Sequence, residues 1–222
     1  MRCWIFVILL CPLLNFSQGE ANNWYFGTNA GITFSTSPPS AVSDGQLATN
    51  EGCSSISDAS GNLLFYTDGR TVWDRDHNIM PNADYFGGTG LNGDPSSTSS
   101  GLIVPNPVDD DIYYVFTVDE PHHDNTYNFP NQGPFNPDGS QASNYSDIPS
   151  HTVPQDDDGF NNGLNFSIVD MSLRNGLGDV VQGERNNELI TYDPNDSEEI
   201  KYKCSEKITA VRGADCSSTW LI

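Results

Sequence analysis

The residues with the clearest chemical potential form acidic clusters, which could supply the hard oxygen ligands that calcium prefers. The clusters are Asp109–Asp111, the run Asp156, Asp157 and Asp158, and the loop group Asp193, Asp196, Glu198 and Glu199. None of them has the spacing of an EF-hand loop, and consecutive side chains on a strand point in different directions. The run at 156–158 is therefore the best calcium candidate, while solvated loop charge is the favoured interpretation of all three clusters.

One pair of histidines has the chemistry of a transition-metal site. His122 and His123 are adjacent, and Asp119, Glu120 and Asp124 flank them. Neighbouring histidines in an acidic loop are more often exposed to solvent than bound to metal, and no cysteine–histidine spacing typical of zinc occurs. We therefore assign no metal ligand, cofactor-binding residue or catalytic residue from the sequence.

Paired carboxylates could also hydrolyse glycosides, which requires two acids roughly 5–10 Å apart across a sugar. With 30 acidic residues in the chain, abundance alone does not identify such a pair. Ser57–Gly61 partly resembles the Asp-box of sialidases, but its aspartate is one place too early and Leu64 stands where tryptophan is required. No nucleophile elbow, zinc-protease motif or phosphate loop is present in the sequence. A protein without catalytic activity is expected, with a secreted glycan hydrolase as the alternative.

Aromatic side chains could form a platform for a carbohydrate or a peptide. The candidates are Trp24, Tyr25, Trp73, Tyr85, Phe86, Tyr127 and Phe129. Trp24 and Trp73 lie within strand-like runs, so we predict that both pack in the core. Tyr127 and Phe129 lie in a polar segment, where a contact role is more plausible.

The net charge and the first residues point to an exported protein. Nine basic residues against 30 acidic ones give a formal charge of −21, which disfavours binding to nucleic acid. Met1 and Arg2 precede the apolar run Cys3–Leu14, which is typical of a signal peptide and too short for a transmembrane helix. We expect residues 1–19 to be removed, no transmembrane segment, and a secreted or cell-surface location with an extracellular protein or glycan as partner.

Three cysteines follow the signal peptide, and export makes a disulfide permissible. Cys204 and Cys216 flank a hairpin-like segment and form the favoured pair, which leaves Cys53 as a buried thiol. Whether the pair is oxidised stays open at this point.

The stretch Glu51–Pro81 has the clearest pattern of strands and turns in the chain. It predicts three short strands, at Ser54–Ser57, Asn62–Thr67 and Thr71–Asp74, with tight turns that contain Gly61 and Gly69. Further strands are predicted after it along the chain, notably Ile112–Val118 and Leu164–Met171, whereas Ser35–Asp44 reads as a loop rich in serine and proline.

Residues 119–163 are rich in proline, asparagine, aspartate and glycine, and we interpret them as an insertion between adjacent strands of one blade. No substantial helix is predicted after the signal peptide. The expected fold class is all-β, with antiparallel meanders that form a partial β-propeller of roughly two to three blades over residues 20–222.

Six segments in the same order resemble a known family. They are NNWYFG–NAGITFS, EGCSSISDASGNLLFYTDGRTVWDRDHNIMPN, GLNGDPSSTSSGLIVPNP, IYYVFTVDE, FSIVDMSLRNGLGDV and EKITAVRGADCSSTWLI. Together they resemble the N-terminal propeller-like region of large surface proteins of gliding bacteria. Those proteins usually end in a gliding motility-associated domain that addresses them to the type IX secretion system. That sorting domain and the later blades are not in this sequence, and the insertion is longer than is usual there, so the chain is expected to be a fragment.

The resemblance implies a secreted or cell-surface scaffold for recognition, and it carries no catalytic residues to transfer. A structural adhesin segment that acts as a spacer is a second alternative.

Overall fold

The structure is a computed structural model that describes residues 19–94, 97–119, 162–197, 199, 203–215 and 217–222. Within these residues the chain consists of antiparallel strands with almost no helix, which confirms the predicted all-β class. Short 3-10 segments occur at Gly19–Ala21, Pro81–Ala83 and Leu173–Gly176. No helix among the described residues is long and apolar enough to cross a bilayer. Apart from Gly19, the predicted signal peptide lies outside the described residues.

The first sheet has three strands in the order of the chain, all antiparallel: β1 (Asn23–Phe26), β2 (Ala30–Thr33) and β3 (Ser40–Val42). The strand β3 contradicts the prediction of a loop over Ser35–Asp44. Its serine and alanine have little intrinsic strand preference, and its conformation is set instead by hydrogen bonding to the main chain of β2.

The second sheet lies in the middle of the molecule and confirms the meander predicted for Glu51–Pro81. Its strands are β4 (Ser54–Ser57), β5 (Leu63–Thr67) and β6 (Val72–Asp74). In the turn between β4 and β5, the Asp58 carboxylate accepts hydrogen bonds from the main-chain N–H groups of Ser60 and Asn62, at 2.8 and 2.9 Å. Gly61 in this turn has a φ of 88°, a backbone conformation that glycine adopts without a steric penalty.

The third sheet has five antiparallel strands: β7 (Leu102–Pro105), β8 (Ile112–Val118), β9 (Leu164–Asp170), β10 (Asp179–Val180) and β11 (Asn187–Leu189). The long connection between β8 and β9 therefore joins neighbouring strands of one sheet, as predicted for the insertion at 119–163. One oxygen of the Asp119 carboxylate accepts hydrogen bonds from the main-chain N–H and the side-chain amide of Asn162, at 2.8 and 3.0 Å. These two bonds close the base of the insertion, and residues 120–161 lie outside the described part of the chain.

A hairpin ends the described chain. β12 (Ala210–Arg212) pairs antiparallel with β13 (Thr219–Leu221), in the hairpin-like segment that follows Cys204. Ala210 and Leu221 face Tyr114 and Phe116 of the third sheet across an apolar groove of about 170 Å³. The opposite side of the hairpin is exposed.

The core consists of two clusters on opposite faces of the second sheet. Because successive side chains of a strand alternate between faces, Phe65 and Val72 pack toward the third sheet, whereas Tyr66 and Trp73 pack toward the first sheet. The middle sheet is thus covered on both faces, which is why β5 and β6 are almost entirely buried.

Candidate functional site

The outer face of the first sheet carries three exposed aromatic side chains, which we call the Trp24 patch: Trp24, Phe26 and Phe34. They are 49%, 37% and 41% exposed, and the rings of Trp24 and Phe34 lie 5.0 Å apart between centroids at an angle of 59°. The prediction that Trp24 packs in the core is wrong. Tyr25 takes the inward position on β1, so its neighbours Trp24 and Phe26 point outward.

Beneath this face, three aromatic side chains form a stack between the first and second sheets. The ring of Tyr66 lies between Tyr25 and Trp73, with centroid distances of 4.7 and 5.4 Å and interplanar angles of 20° and 11°. Trp73 is buried, as predicted. Such stacked contacts contribute beyond the area that they bury, so the stack fixes the first sheet against the second and holds the Trp24 patch in place.

A hydrogen-bonded chain of polar groups runs along the edge of this stack. The Tyr66 hydroxyl lies 3.1 Å from Nδ1 of His77, and Nε2 of His77 lies 3.5 Å from the Asp44 carboxylate. The Tyr25 hydroxyl donates to the other oxygen of Asp44 at 3.1 Å, and the Gln46 main-chain N–H donates to the Tyr66 oxygen at 3.0 Å. No sequence pattern indicates this network, because its members lie on separated segments of the chain.

Burial raises the pKa of Tyr66 to about 12, with Asp44 and Asp74 adding repulsion, and it raises the pKa of Tyr25 as well. Because the folded state holds these protons more tightly, their contribution to stability is complete below pH 10 and is lost as the pH rises toward 12. We expect the urea midpoint of unfolding to fall between pH 10 and about 12, and to fall less in Tyr66→Phe. Tyr192→Phe, outside the network, is the matched control, and an equal fall in both variants would contradict the assignment.

Asp74 is a buried, hydrogen-bonded carboxylate of the second sheet. It is fully buried at the end of β6 and accepts hydrogen bonds from the main-chain N–H groups of Asp76 and Asn78, both at 3.0 Å. Its other oxygen lies 3.0 Å from the guanidinium of Arg174, which extends from the segment after β9. The pair joins the second sheet to the third and has a structural role.

A second buried polar group lies in the turn between β5 and β6. The Asp68 carboxylate accepts hydrogen bonds from the main-chain N–H groups of Arg70 and Thr71, at 2.9 and 2.8 Å. Burial raises the pKa of Asp68, against the lowering effect of Arg70. The guanidinium of Arg70 lies 4.4 Å from the ring centroid of Tyr85. Among the predicted aromatic candidates, Tyr85 therefore forms a cation–π contact with Arg70. Its neighbour Phe86 is 53% exposed.

The predicted acidic clusters do not converge into a metal site in the described residues. Asp109 accepts a hydrogen bond from the Asp111 main-chain N–H, and Asp193 and Asp196 likewise bond within their own exposed loop. Across the described ranges, no three histidine, cysteine, aspartate or glutamate side chains are placed to share an ion. Several predicted candidates lie outside those ranges: Asp156, Asp157, Asp158, Glu198, His122, His123, Tyr127 and Phe129.

The favoured disulfide is not formed. Cys204 is a free, partly buried thiol, and Cys216 is outside the described residues. Burial raises the pKa of Cys204 to about 11, and the next largest cause is the charge of Asp119 at the end of β8. Cys204 precedes β12 along the chain, as a residue that flanks the hairpin must. Cys53 is also free, and it is partly buried against Tyr25, Leu47, Tyr66 and Trp73 rather than fully buried as predicted.

The chain was compared with models of protein families, with curated proteins and with solved structures. None of the three comparisons found a match, so the functional interpretation depends on the geometry of this chain and on its sequence.

Proposed function

We propose that this chain is an exported, non-catalytic recognition module with a propeller-type arrangement of sheets, and that it binds a glycan through the Trp24 patch. The apolar run Cys3–Leu14 and the charge of −21 support export and an extracellular or cell-surface location. The resemblance to surface proteins of gliding bacteria supports a scaffold role on such a surface.

The packing of the sheets supports the propeller-type arrangement. Blades of a propeller are small antiparallel meanders that pack face to face. Here the second sheet is such a meander, and it buries one face against the first sheet through Tyr66 and the other against the third sheet through Phe65. Three successive sheets of this kind are compatible with two to three blades.

The observation that carries the proposed ligand is the exposed aromatic surface formed by β1 and by Phe34, which directly follows β2. Aromatic side chains at a protein surface usually bury most of their area, yet Trp24 and Phe34 present adjacent rings to solvent from a rigid sheet. The apolar faces of sugars stack on such rings. Rigid rings lose little conformational entropy on binding.

The hydrolase alternative has less support. It requires an acid with a raised pKa that faces a second carboxylate across a cleft. Asp58 lines an acidic pocket of about 440 Å³, but its hydrogen bonds from Asn62 lower its pKa. The Asp68 carboxyl, whose pKa burial raises, is enclosed in its own turn and does not line that pocket.

Replacement of Trp24 by alanine tests the proposal. We expect wild-type protein to be retarded in affinity electrophoresis through gels that contain bacterial or plant polysaccharides, and Trp24→Ala to lose about 1–3 kcal/mol of that binding. The melting temperature should change little, because Trp24 is half exposed. Trp220→Ala removes another exposed tryptophan, 66% exposed on β13, and is the matched control.

Equal retardation of the two variants would contradict glycan binding at the patch. Release of reducing sugar from a retained polysaccharide would instead favour the hydrolase. If the folded protein captured neither polysaccharides nor oligosaccharides, the remaining functions would be binding of a protein partner or a role as a spacer.

A further inference from the structure

A second candidate site lies at the junction of the second and third sheets, away from the Trp24 patch. It is a pocket of about 440 Å³, a size within the range of small-molecule sites. Three parts of the chain form it: the start of the described chain at Glu20, the turn that follows β4 at Asp58–Ser60, and the turn between β7 and β8 at Asn106, Asp110 and Asp111. No feature of the proposed glycan site contributes to it.

The pocket is strongly acidic. Glu20, Asp58, Asp110 and Asp111 line it, and none of its described lining residues is basic. The Oε2 atom of Glu20 is buried and has no hydrogen-bond partner. A buried carboxylate oxygen without a partner loses its hydration and gains nothing in exchange. A cationic hydrogen-bond donor in the pocket would satisfy it.

Tyr113 provides an independent indication of a ligand. The residue is only 8% exposed, and its ring is held edge-on by Phe65, with 5.5 Å between the ring centroids. Its hydroxyl forms no hydrogen bond with any described residue, although the residue lines the pocket. Burial raises the pKa of Tyr113, and so do the charges of the same four carboxylates.

The residues that line the pocket determine which kind of cation can bind there. Leu64, Pro105 and Met171 line the same pocket and make part of it apolar. The Asp58 oxygens are already occupied by its own turn, and no three acidic groups of the described chain are placed to share a metal ion. An ammonium group on an aliphatic stem matches both the acidic rim and the apolar wall, whereas a bare divalent ion matches only the rim.

We propose that this pocket binds a primary alkylammonium group, with Glu20 and Asp110 as its charge partners and the Tyr113 hydroxyl as a hydrogen-bond acceptor. A lysine side chain of a partner and a free aliphatic diamine both carry this group.

The test is calorimetric titration of the full chain, in which the peptide bond from Gly19 leaves no terminal ammonium group at Glu20. The probes are 1,5-diaminopentane, a capped Gly-Lys-Gly peptide and the same peptide acetylated on lysine, in about 0.1 M salt so that non-specific attraction is screened. We expect saturable binding at one site by at least one of the charged probes and none by the acetylated peptide. The charged probe that binds more tightly identifies the source of the ammonium group.

Variants then locate the binding. Glu20→Gln combined with Asp110→Asn should weaken binding about tenfold or more, and Tyr113→Phe about threefold. Asp76→Asn combined with Glu184→Gln removes the same charge from exposed positions outside the pocket, and this control should bind as the wild type does. Equal weakening in both double variants would overturn the proposal, as would displacement of the amine by lower concentrations of calcium chloride. Because none of these residues belongs to the Trp24 patch, loss of amine binding leaves the proposed glycan function untouched.

Discussion

Asp74→Ala is expected to lower the free energy of unfolding by about 3–5 kcal/mol, the usual cost of removing one partner of a buried ion pair. Asp74 is fully buried, and it accepts hydrogen bonds from two main-chain N–H groups of its turn in addition to the Arg174 guanidinium. Its removal leaves these donors without an acceptor and separates the turn after β6 from the segment after β9. Both the second and the third sheet should therefore be affected.

Urea unfolding followed by far-ultraviolet circular dichroism measures the effect. Asp76→Ala is the matched control, since Asp76 lies two residues further along the same turn and is exposed. A double-mutant cycle with Arg174→Ala separates the ion pair from the turn hydrogen bonds. If Asp74→Ala were as stable as Asp76→Ala, the pair would not connect the two sheets.

Gly69→Ala should be nearly as damaging, with a loss of about 2–5 kcal/mol from backbone strain and overpacking together. Gly69 has a φ of 86°, and a Cβ atom there would meet the carbonyl oxygen and the hydroxyl of Ser100 well inside van der Waals contact. The carbonyl is main chain and cannot rotate away. The substitution would thus push the turn between β5 and β6 away from the segment that leads into β7.

Gly183→Ala isolates the strain, because Gly183 has a φ of 92° and nothing lies within 4 Å of a Cβ built there. Thermal unfolding of the two variants should show Gly183→Ala losing about 1–2 kcal/mol and Gly69→Ala clearly more. Equal losses would mean that the close approach to Ser100 is not maintained in solution.

Local sequence signals predicted most of the strands. β4 and β8 have the predicted bounds, because Ser54–Ser57 precedes a strong turn and Ile112–Val118 combines β-branched with aromatic residues. β3 was missed, since Ser40 and Ala41 have little strand preference and the pairing with β2 is what extends them. Which side chains of β1 face the core was equally hard to predict. Its three consecutive aromatic residues suit either face, and only the packing of the second sheet against Tyr25 determines the choice.

The candidate sites were harder to predict than the strands. Trp24 and Tyr113 are easily found in the sequence. The exposure of Trp24 and the position of the Tyr113 hydroxyl, however, depend on which face each strand buries. The acidic pocket brings Glu20 together with Asp110, and the polar network brings Asp44 together with His77. Such contacts are set by the packing of whole sheets, which no local pattern encodes.

The bonds from Asn162 to Asp119 make the junction of β8 and β9 a natural point for grafting foreign sequence. They fix both ends of the connection at the last paired residues, Val118 and Leu164, so the register of the sheet does not depend on what lies between. For a flexible connection, each doubling of length costs only about 0.6 kcal/mol in closure entropy. A reporter peptide or an epitope could therefore replace residues 120–161 while β8 and β9 keep their pairing within the third sheet.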